Sequence, residues 1–308
     1  MYSFIIPCYK SKETIGSVCN DIVDVMTNVI KQDYEIICIN DFPFDNTSNT
    51  LRKIATSNKN IKVIELSKNF GQHNAIMAGL KESKGDYIVC LDDDGQTSPH
   101  ELPKLIAEID KYDVVFAKYD SKKHNMFRNF GSYINDRMAC ILIGKPKDLY
   151  ISSYFIAKRF VIDEICTYTK PYTYMSGLLL RTTGFVGNVI VEHKSREIGE
   201  SNYNLKGLLS LWLNGFTAFS ILPLRLATML GGIVSFLGFI MTIYSMVNYI
   251  IRPNVPMGWT STIAVISFIG GIILLVLGMI GEYIGRIYLS INKMPQYVIR
   301  EKINVDKK

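Results

Sequence analysis

Three consecutive aspartates, Asp92 to Asp94, end a run of apolar residues in the stretch "YIVCLDDDGQTSPHEL". Carboxylates this close repel one another unless a positive charge lies between them, and a divalent cation commonly supplies that charge. Residues two apart in extended backbone point the same way, so we expect Asp92, Asp94 and Gln96 to converge while Asp93 turns aside. Such oxygen ligands suit Mg²⁺ or Mn²⁺, which share their coordination with substrate phosphates. The alternative is an acidic loop that caps the next helix.

The chain around these aspartates alternates strand and helix patterns. Short, nearly continuous apolar runs are separated by helical stretches such as "HNAIMAGLKES", and the runs are residues 2–7, 34–40, 61–66, 86–91 and 113–117. Such runs are typical of parallel strands that are covered on both faces. We therefore predict an open α/β sheet of the nucleotide-binding kind, with its ligands beyond the carboxyl ends of the strands.

The residues that follow these strands are proline, aromatic or acidic. The stretches are "PCYKSKE", "NDFPFDNT" and "DDDGQTSP". They could hold a polar ligand without supplying positive charge. No G-x-G-x-x-G and no G-x-x-x-x-G-K-[ST] is present, so the phosphates of a nucleotide would lack a backbone cradle. A metal would have to hold them.

The second part of the chain has the composition of a membrane domain. From Leu226 to Ile251 there are 26 uncharged residues, and from Pro253 to Gly281 another 29. Each run exceeds the ~20 residues that a helix needs to cross a bilayer. We predict two transmembrane helices, about 226–251 and 258–281, within a hairpin over 226–285; the alternative is a buried pair of helices in a soluble protein.

The segments beside this hairpin complete the predicted domain plan. Residues 1–203 form the soluble domain, the apolar spacing of 204–225 indicates an interfacial amphipathic helix, and 286–308 form a basic tail. Lys and Arg flank the outer ends of the two spans, whereas the connection between them has only Arg252, so both termini should be cytoplasmic. The first residues, "MYSFIIPCYK", lack the basic start and the long apolar run of a signal peptide.

Cysteine usage and net charge fit a cytoplasmic domain beside a membrane. The six cysteines show no paired spacing such as C-x-x-C, so we interpret them as small buried residues in a reducing compartment. A net charge of +6 is modest and fits an anionic leaflet better than nucleic acid.

Several motifs, taken together and in order, resemble the polyisoprenyl-phosphate glycosyltransferases over almost the whole chain. They are "IPCYKSKE", "NDFPFDNT", "NFGQHNAIMAGL", "GDYIVCLDDDGQTSP", "REIGESNY" and "GWTS…LGMIGEYIGRIY". These enzymes are family 2 glycosyltransferases of the dolichol-phosphate mannose synthase and bacterial undecaprenyl-phosphate sugar transferase type. The resemblance implies a GT-A type nucleotide-diphospho-sugar transferase fold and inverting transfer of one sugar to a lipid phosphate.

The resemblance also implies site residues. Asp92, Asp94 and Gln96 match the D-x-D-x-Q metal motif, and Asp92 would also contact the nucleotide. The remaining implied positions are Pro7, Tyr9, Glu13 and Asp41 for the nucleoside, and Arg196 and Ser201 near the phosphates. Arg196 is predicted to be catalytic together with Asp92 and Asp94, although it could instead pair with a neighbouring glutamate on the surface.

The sequence departs from the family pattern at three places. Many members have an acidic residue where Ser11 stands and another where Asn40 stands, and many read D-F-R-L where this chain has "SYFI", Ser153 to Ile156. The mechanism tolerates these losses because the acceptor phosphate, with a second pKa of about 6, is largely deprotonated at neutral pH and needs no strong base.

Positive charge must still offset the repulsion between the two phosphorylated reactants. The candidates are the metal, Arg196, and a basic stretch that could equally be a solvated helix face, namely Lys122, Lys123 and Arg128. The leading hypothesis is a plasma-membrane enzyme that moves a sugar from a nucleotide sugar, with uridine favoured, to undecaprenyl phosphate. The expected partners are these two substrates, the bilayer, a flippase and further copies of the chain. The alternatives are a processive polysaccharide synthase and a non-catalytic membrane scaffold.

Overall fold

The computed structural model of the chain describes residues 1–42, 44–119, 140, 144–192, 222–251, 258–292 and 294–305. The chain forms two compact units. The first contains Met1–Tyr203 together with Lys293–Lys308, and the second contains Asn204–Asn292.

An eight-stranded sheet organises the first unit. The strands are β1 (Tyr2–Cys8), β2 (Tyr34–Asn40), β3 (Ile61–Leu66), β4 (Tyr87–Cys90), β5 (Val114–Tyr119), β6 (Phe155–Lys158), β7 (Val186–Val191) and β8 (Ile299–Ile303). Their spatial order is β7-β5-β6-β4-β1-β2-β3-β8. The five predicted strands are confirmed, and β1 to β4 pair in parallel as expected.

Two of the strands that the sequence analysis did not predict run against the others. β6 lies antiparallel between β4 and β5, and β8 pairs antiparallel with the outer side of β3. The third, β7, extends the sheet parallel to β5. The sheet is therefore mixed, and its central strands keep the parallel order that brings their carboxyl ends to one edge.

Helices cover both faces of the sheet, as predicted. They are α1 (Ile15–Asp24), which continues as a π-helical turn over Val25–Ile30, α2 (Thr47–Ser57), α3 (Gln72–Glu82), α4 (Leu102–Ile106) after a 3₁₀ turn at Pro99–Glu101, α5 (Arg159–Cys166) and α6 (Met175–Thr182). Side chains of one face, such as Phe4, Ile6 and Cys8, share a buried core with Ile15 and Val18 of α1. The opposite face, which includes Ile5 and Ile39, packs against α3.

Close packing of α3 on the sheet depends on Gly79. A Cβ atom at this position would lie 2.6 Å from Cδ1 of Ile39 and 2.9 Å from Cγ2 of Ile5. Gly79→Ala is therefore expected to cost about 1–3 kcal/mol by overpacking. The apparent Tm of the purified protein should fall by about 5 °C. Gly184→Ala is the matched control, because no atom lies within 4 Å of its added Cβ. Equal Tm values for the two variants would show that α3 does not pack this tightly.

The second unit contains two long helices, α7 (Leu222–Ile251) and α8 (Trp259–Ile291), which contact each other. Large apolar side chains are exposed along both, for example Phe236 and Leu274. In the described part of the chain, one helical stretch, Phe268–Leu289, is long and apolar enough to span a membrane, with a mean hydropathy of 2.0. A shorter apolar stretch covers Ala227–Ile240.

The end of the chain differs from the predicted basic tail over 286–308. α8 continues to Ile291, beyond the predicted end of the hairpin, and β8 then joins the sheet of the first unit. Arg52 of α2 donates two hydrogen bonds to Glu301 of β8, and Asn304 donates to the carbonyls of Ala55 and Ile61. The final segment is thus part of the α/β fold. Most of the predicted interfacial helix over 204–225 lies outside the described residues.

Candidate active site

A cleft of about 550 Å³ opens at the carboxyl edge of the central parallel strands. Its lining comes from the ends of β1, β2 and β4, from the turn before α3 and from Ser153, which lies shortly before β6. The lining residues are Pro7, Cys8, Tyr9, Asp41, Asn69, Gly71, Gln72, Asp92, Asp93, Asp94 and Ser153.

The charges on this lining have one sign. Four of the lining residues are aspartates, and none of the described lining residues is Lys or Arg. Among the residues that the structure describes, no three His, Cys, Asp or Glu side chains gather as a metal-binding group. Two carboxylates and the phosphates of a bound nucleotide are, however, a ligand set that Mg²⁺ and Mn²⁺ commonly take. Asp92 and Asp94 therefore fit a divalent cation that is shared with a phosphorylated ligand.

Asp92 is held by neutral donors on both of its oxygens. The Gln72 amide donates to Oδ1 over 2.9 Å, and the Ser153 hydroxyl donates to Oδ2. Burial, together with the smaller effect of the charges on Asp94 and Asp93, raises the pKa of Asp92 to about 6 against the two hydrogen bonds, which lower it. A nearby cation would stabilise the ionised form of this buried carboxylate.

The loop after β4 departs from the predicted alternation. β4 ends at Cys90, so the aspartates lie beyond the strand, with Asp93 and Asp94 in bends, and Gly95 adopts a φ of 70°. Asp93 does not turn away from the cleft: it lines the wall, and its carboxylate accepts the backbone N–H of Tyr9 over 3.0 Å. Burial raises its pKa.

Asp94 and Gln96 share a local contact in this loop. The backbone N–H of Gln96 donates to Oδ1 of Asp94 over 3.1 Å. Asp94 lines the cleft, whereas the described lining does not include Gln96. The structure therefore brings two of the three predicted metal ligands together, and a role for Gln96 stays a prediction.

Asp41 fixes the turn that precedes α3. Its two carboxylate oxygens accept the backbone N–H groups of Phe70 and Gly71 over 2.7 and 2.8 Å. Gly71 has a φ of 85° and a ψ of 151°, a backbone conformation that glycine adopts readily. Burial raises the pKa of Asp41 to about 6 against the effect of these donors. Asp41 thus shapes the cleft wall, and its contact with a nucleobase stays a prediction.

Aromatic rings lie at the β1 and β2 ends of the cleft. Tyr9, which is 40% exposed, packs edge-on against Phe42 with ring centroids 5.3 Å apart, and Phe42 does the same with Phe44 at 5.8 Å. The ammonium of Lys10 lies 5.3 Å from the centroids of both Tyr9 and Phe42. These rings offer flat apolar surface to a planar ligand. Pro7 and Tyr9 line the cleft as predicted.

Other predicted residues lie apart from the cleft or beyond the described chain. Glu13 is exposed and does not belong to the described lining. The predicted phosphate or acceptor residues that lie outside the described residues are Lys122, Lys123, Arg128, Arg196 and Ser201.

Besides Asp93, which was expected to turn aside, five lining residues were missed by the sequence reasoning: Asn69, Gly71, Gln72, Ser153 and Cys8. The first three belong to "NFGQHNAIMAGL", which follows β3 directly, so the strand-end argument could have found them. Ser153 precedes β6, and it reaches this edge only because β6 is antiparallel to β4.

Comparisons with known proteins identify the family and the fold. The chain matches the family model described as "Glycosyl transferase family 2" over residues 3–168 and the model described as "GtrB C-terminal hairpin" over residues 222–287. The undecaprenyl-phosphate 4-deoxy-4-formamido-L-arabinose transferase of Enterobacter sp. (strain 638) is 30% identical, over 98% of this chain and 93% of the relative. The protein of the same name from Proteus mirabilis (strain HI4320) is 28% identical, over 99% of this chain and 94% of the relative.

Solved structures show the same fold. Glucosyl-3-phosphoglycerate synthase from Mycobacterium tuberculosis, in complex with Mn²⁺ and uridine-diphosphate-glucose, superposes with a TM-score of 0.53 at 17% identity, over 75% of this chain and 78% of that one. Its complex with phosphoglyceric acid gives a TM-score of 0.51 at 18% identity, over 68% and 74% of the two chains. The sheet therefore has the GT-A fold. Because the family model spans more than half of the chain and the relatives match nearly all of it, the chain belongs to glycosyl transferase family 2.

Proposed function

We propose that this glycosyltransferase moves one sugar from a nucleotide sugar to a polyprenyl phosphate, with inversion at the anomeric carbon. The observation that carries the proposal is the acidic cleft at the carboxyl edge of a GT-A sheet, in a chain that also has a GtrB C-terminal hairpin. Full-length relatives named undecaprenyl-phosphate transferases support this acceptor class. A uridine diphosphate sugar is the proposed donor.

Different residues of the cleft would bind different parts of the donor. Asp92 and Asp94 would hold Mg²⁺ or Mn²⁺, which when bound neutralises the donor diphosphate and stabilises charge on the leaving group. Tyr9 and Phe42 would pack against the nucleoside, and Asp41 keeps the opposite wall in place. Gln96, Glu13, Arg196 and Ser201 keep their predicted contacts as part of this proposal.

The acceptor needs little activation by the protein. A phosphate monoester with a second pKa near 6 is mostly a dianion at neutral pH, so its oxygen can attack without a strong base. The energetic problem is the approach of two phosphorylated molecules, and positive charge must offset it. Arg196 and the basic stretch with Lys122, Lys123 and Arg128 are the proposed sources besides the cation.

The hairpin and the charges beside it support a proposed membrane arrangement. α7 and α8 would cross the bacterial plasma membrane twice, with the catalytic domain and both termini on the cytoplasmic side, because Lys and Arg flank the outer ends of the hairpin. Residues 204–225 would lie on the membrane surface and present the cleft to the lipid headgroups. Self-association of the hairpins and a flippase partner complete this proposal.

The test is a donor screen on the full-length protein in proteoliposomes that contain undecaprenyl phosphate. Labelled UDP-glucose, UDP-4-deoxy-4-formamido-L-arabinose and GDP-mannose are supplied with Mg²⁺ or Mn²⁺, and lipid is extracted. We expect one donor to give a lipid that carries a single sugar, and EDTA to abolish it. A long polymer would instead establish a processive synthase, and no product from any donor would favour a scaffold.

The pH dependence of cation binding gives an independent prediction. The pKa of Asp92 lies near 6, so its proton competes with the cation as the pH falls through this value. Mn²⁺ affinity in the presence of UDP-glucose should weaken about tenfold from pH 7 to pH 5. UDP-glucose is chosen because its diphosphate is already fully ionised over this range, and its own Mn²⁺ affinity is measured without protein. An affinity that stays constant between pH 7 and pH 5 would contradict the role of Asp92.

A further inference from the structure

The carboxylate of Asp92 accepts hydrogen bonds from side chains in two separate parts of the fold. Gln72 is the first residue of α3, and its Nε2 donates to Oδ1 over 2.9 Å. Ser153 lies just before β6, and its hydroxyl donates to Oδ2. All three residues line the cleft. Because one donor occupies each oxygen, the plane of the carboxylate is fixed and its remaining lone pairs have set directions.

Both donors stand on backbone that is itself fixed. The residue before Gln72, Gly71, donates its N–H to Asp41, and Asn74 in the first turn of α3 donates to the carbonyl of Pro171. On the other side, the hydroxyl of Ser152 donates to the carbonyl of Tyr154, whose side chain is buried. These contacts hold the backbone on either side of the cleft in place, so both donors lie within reach of Asp92 before any ligand binds.

The residue type at position 153 matters for this arrangement. An ionised aspartate at this position would have no proton to donate, whereas serine donates to Asp92 and adds no charge. The cleft already holds four carboxylates, and a fifth would increase their mutual repulsion.

We infer that Gln72 and Ser153 are positioning residues that orient the Asp92 carboxylate toward the divalent cation, an inference that rests on the proposed function. Partners of this kind donate hydrogen bonds to a metal-binding side chain without touching the metal. Their removal lowers metal affinity about 10–100-fold. Neither residue is required to touch the cation or the substrates for this role.

The test measures Mn²⁺ affinity by electron paramagnetic resonance on the full-length protein in detergent, with saturating UDP. We expect Ser153→Ala and Gln72→Ala each to weaken Mn²⁺ binding about tenfold. Ser153→Thr keeps a hydroxyl and should restore most of the affinity. Ser57→Ala is the matched control, because its hydroxyl donates to the backbone carbonyl of Ile54 and Ser57 does not belong to the described cleft lining, and it should bind Mn²⁺ like the wild type. Apparent Tm values of all variants confirm that each is folded.

The possible outcomes distinguish the positioning roles of Gln72 and Ser153 from the proposed function. Wild-type affinity in folded Ser153→Ala and Gln72→Ala would overturn the positioning roles and leave the proposed function standing. A loss in Ser153→Ala that Ser153→Thr does not restore would overturn the role of the hydroxyl. A wild-type protein that binds no Mn²⁺ with UDP would overturn the metal-dependent function, and the positioning roles with it.

Discussion

Asp94→Asn is expected to lower kcat about a thousandfold, which corresponds to ~4 kcal/mol of transition-state stabilisation. The substitution keeps the shape of the side chain and the acceptor oxygen for the backbone N–H of Gln96, but it removes one of the two charges that would hold the cation. The loss should therefore fall on the chemical step and on metal affinity rather than on folding. The measurement is the initial rate of lipid-linked sugar formation at saturating donor, acceptor and Mn²⁺.

Asp110→Asn provides the matched control for this experiment. Asp110 is exposed in the turn before β5 and does not belong to the described cleft lining, so the same chemical change should leave the rate unaltered. The account of the site would fail if Asp94→Asn retained activity within about threefold of the wild type, since that difference is below 1 kcal/mol. It would also fail if the addition of Mn²⁺ to EDTA-treated wild-type protein had no effect on the rate.

Removal of residues 293–308 is expected to lower the apparent Tm by about 10 °C, as a loss of several kcal/mol would in a domain of this size. The truncation deletes β8 and leaves the outer edge of β3 unpaired. It also removes the Glu301 partner of Arg52 and the Asn304 side chain that caps two backbone carbonyls. Differential scanning fluorimetry in detergent measures the change.

Two smaller changes isolate the contribution of the strand. Removal of 306–308 alone leaves β8 intact and should keep the wild-type Tm. Glu301→Gln breaks an exposed ion pair, and such pairs contribute little to stability, so its effect on the Tm should be small. If the long truncation also kept the wild-type Tm, the final segment would not contribute to the stability of the sheet.

The parallel core of the fold could be predicted because its strands are buried on both faces. The β1 and β2 runs are almost entirely apolar, and no other local structure suits such short runs between helical patterns. β8 lacks this signal: its central residues, Arg300, Glu301 and Lys302, are all exposed on an edge strand. Its charge resembles that of a solvated tail, and only pairing with β3 makes it a strand.

The same distinction applies to the site. Pro7, Tyr9, Asp41, Asp92 and Asp94 lie at or just after the ends of predicted parallel strands, so the strand order alone places them at one edge. The orientation of Asp93 was predicted wrongly because the prediction assumed that extended backbone continues through the aspartates, whereas β4 ends at Cys90. Ser153 reaches the cleft through an antiparallel strand inserted between β4 and β5, a feature of tertiary topology that no local pattern encodes.

The central claim is that Asp92 and Asp94 together hold a divalent cation against the diphosphate of the donor. Its most direct test is an experimental structure of the full-length protein with Mn²⁺ and UDP, in which the anomalous signal of manganese locates the ion. The account predicts one peak in the cleft, within coordination distance of a carboxylate oxygen of each aspartate and of the UDP phosphates. Manganese bound elsewhere, or UDP bound with neither aspartate near the ion, would contradict it.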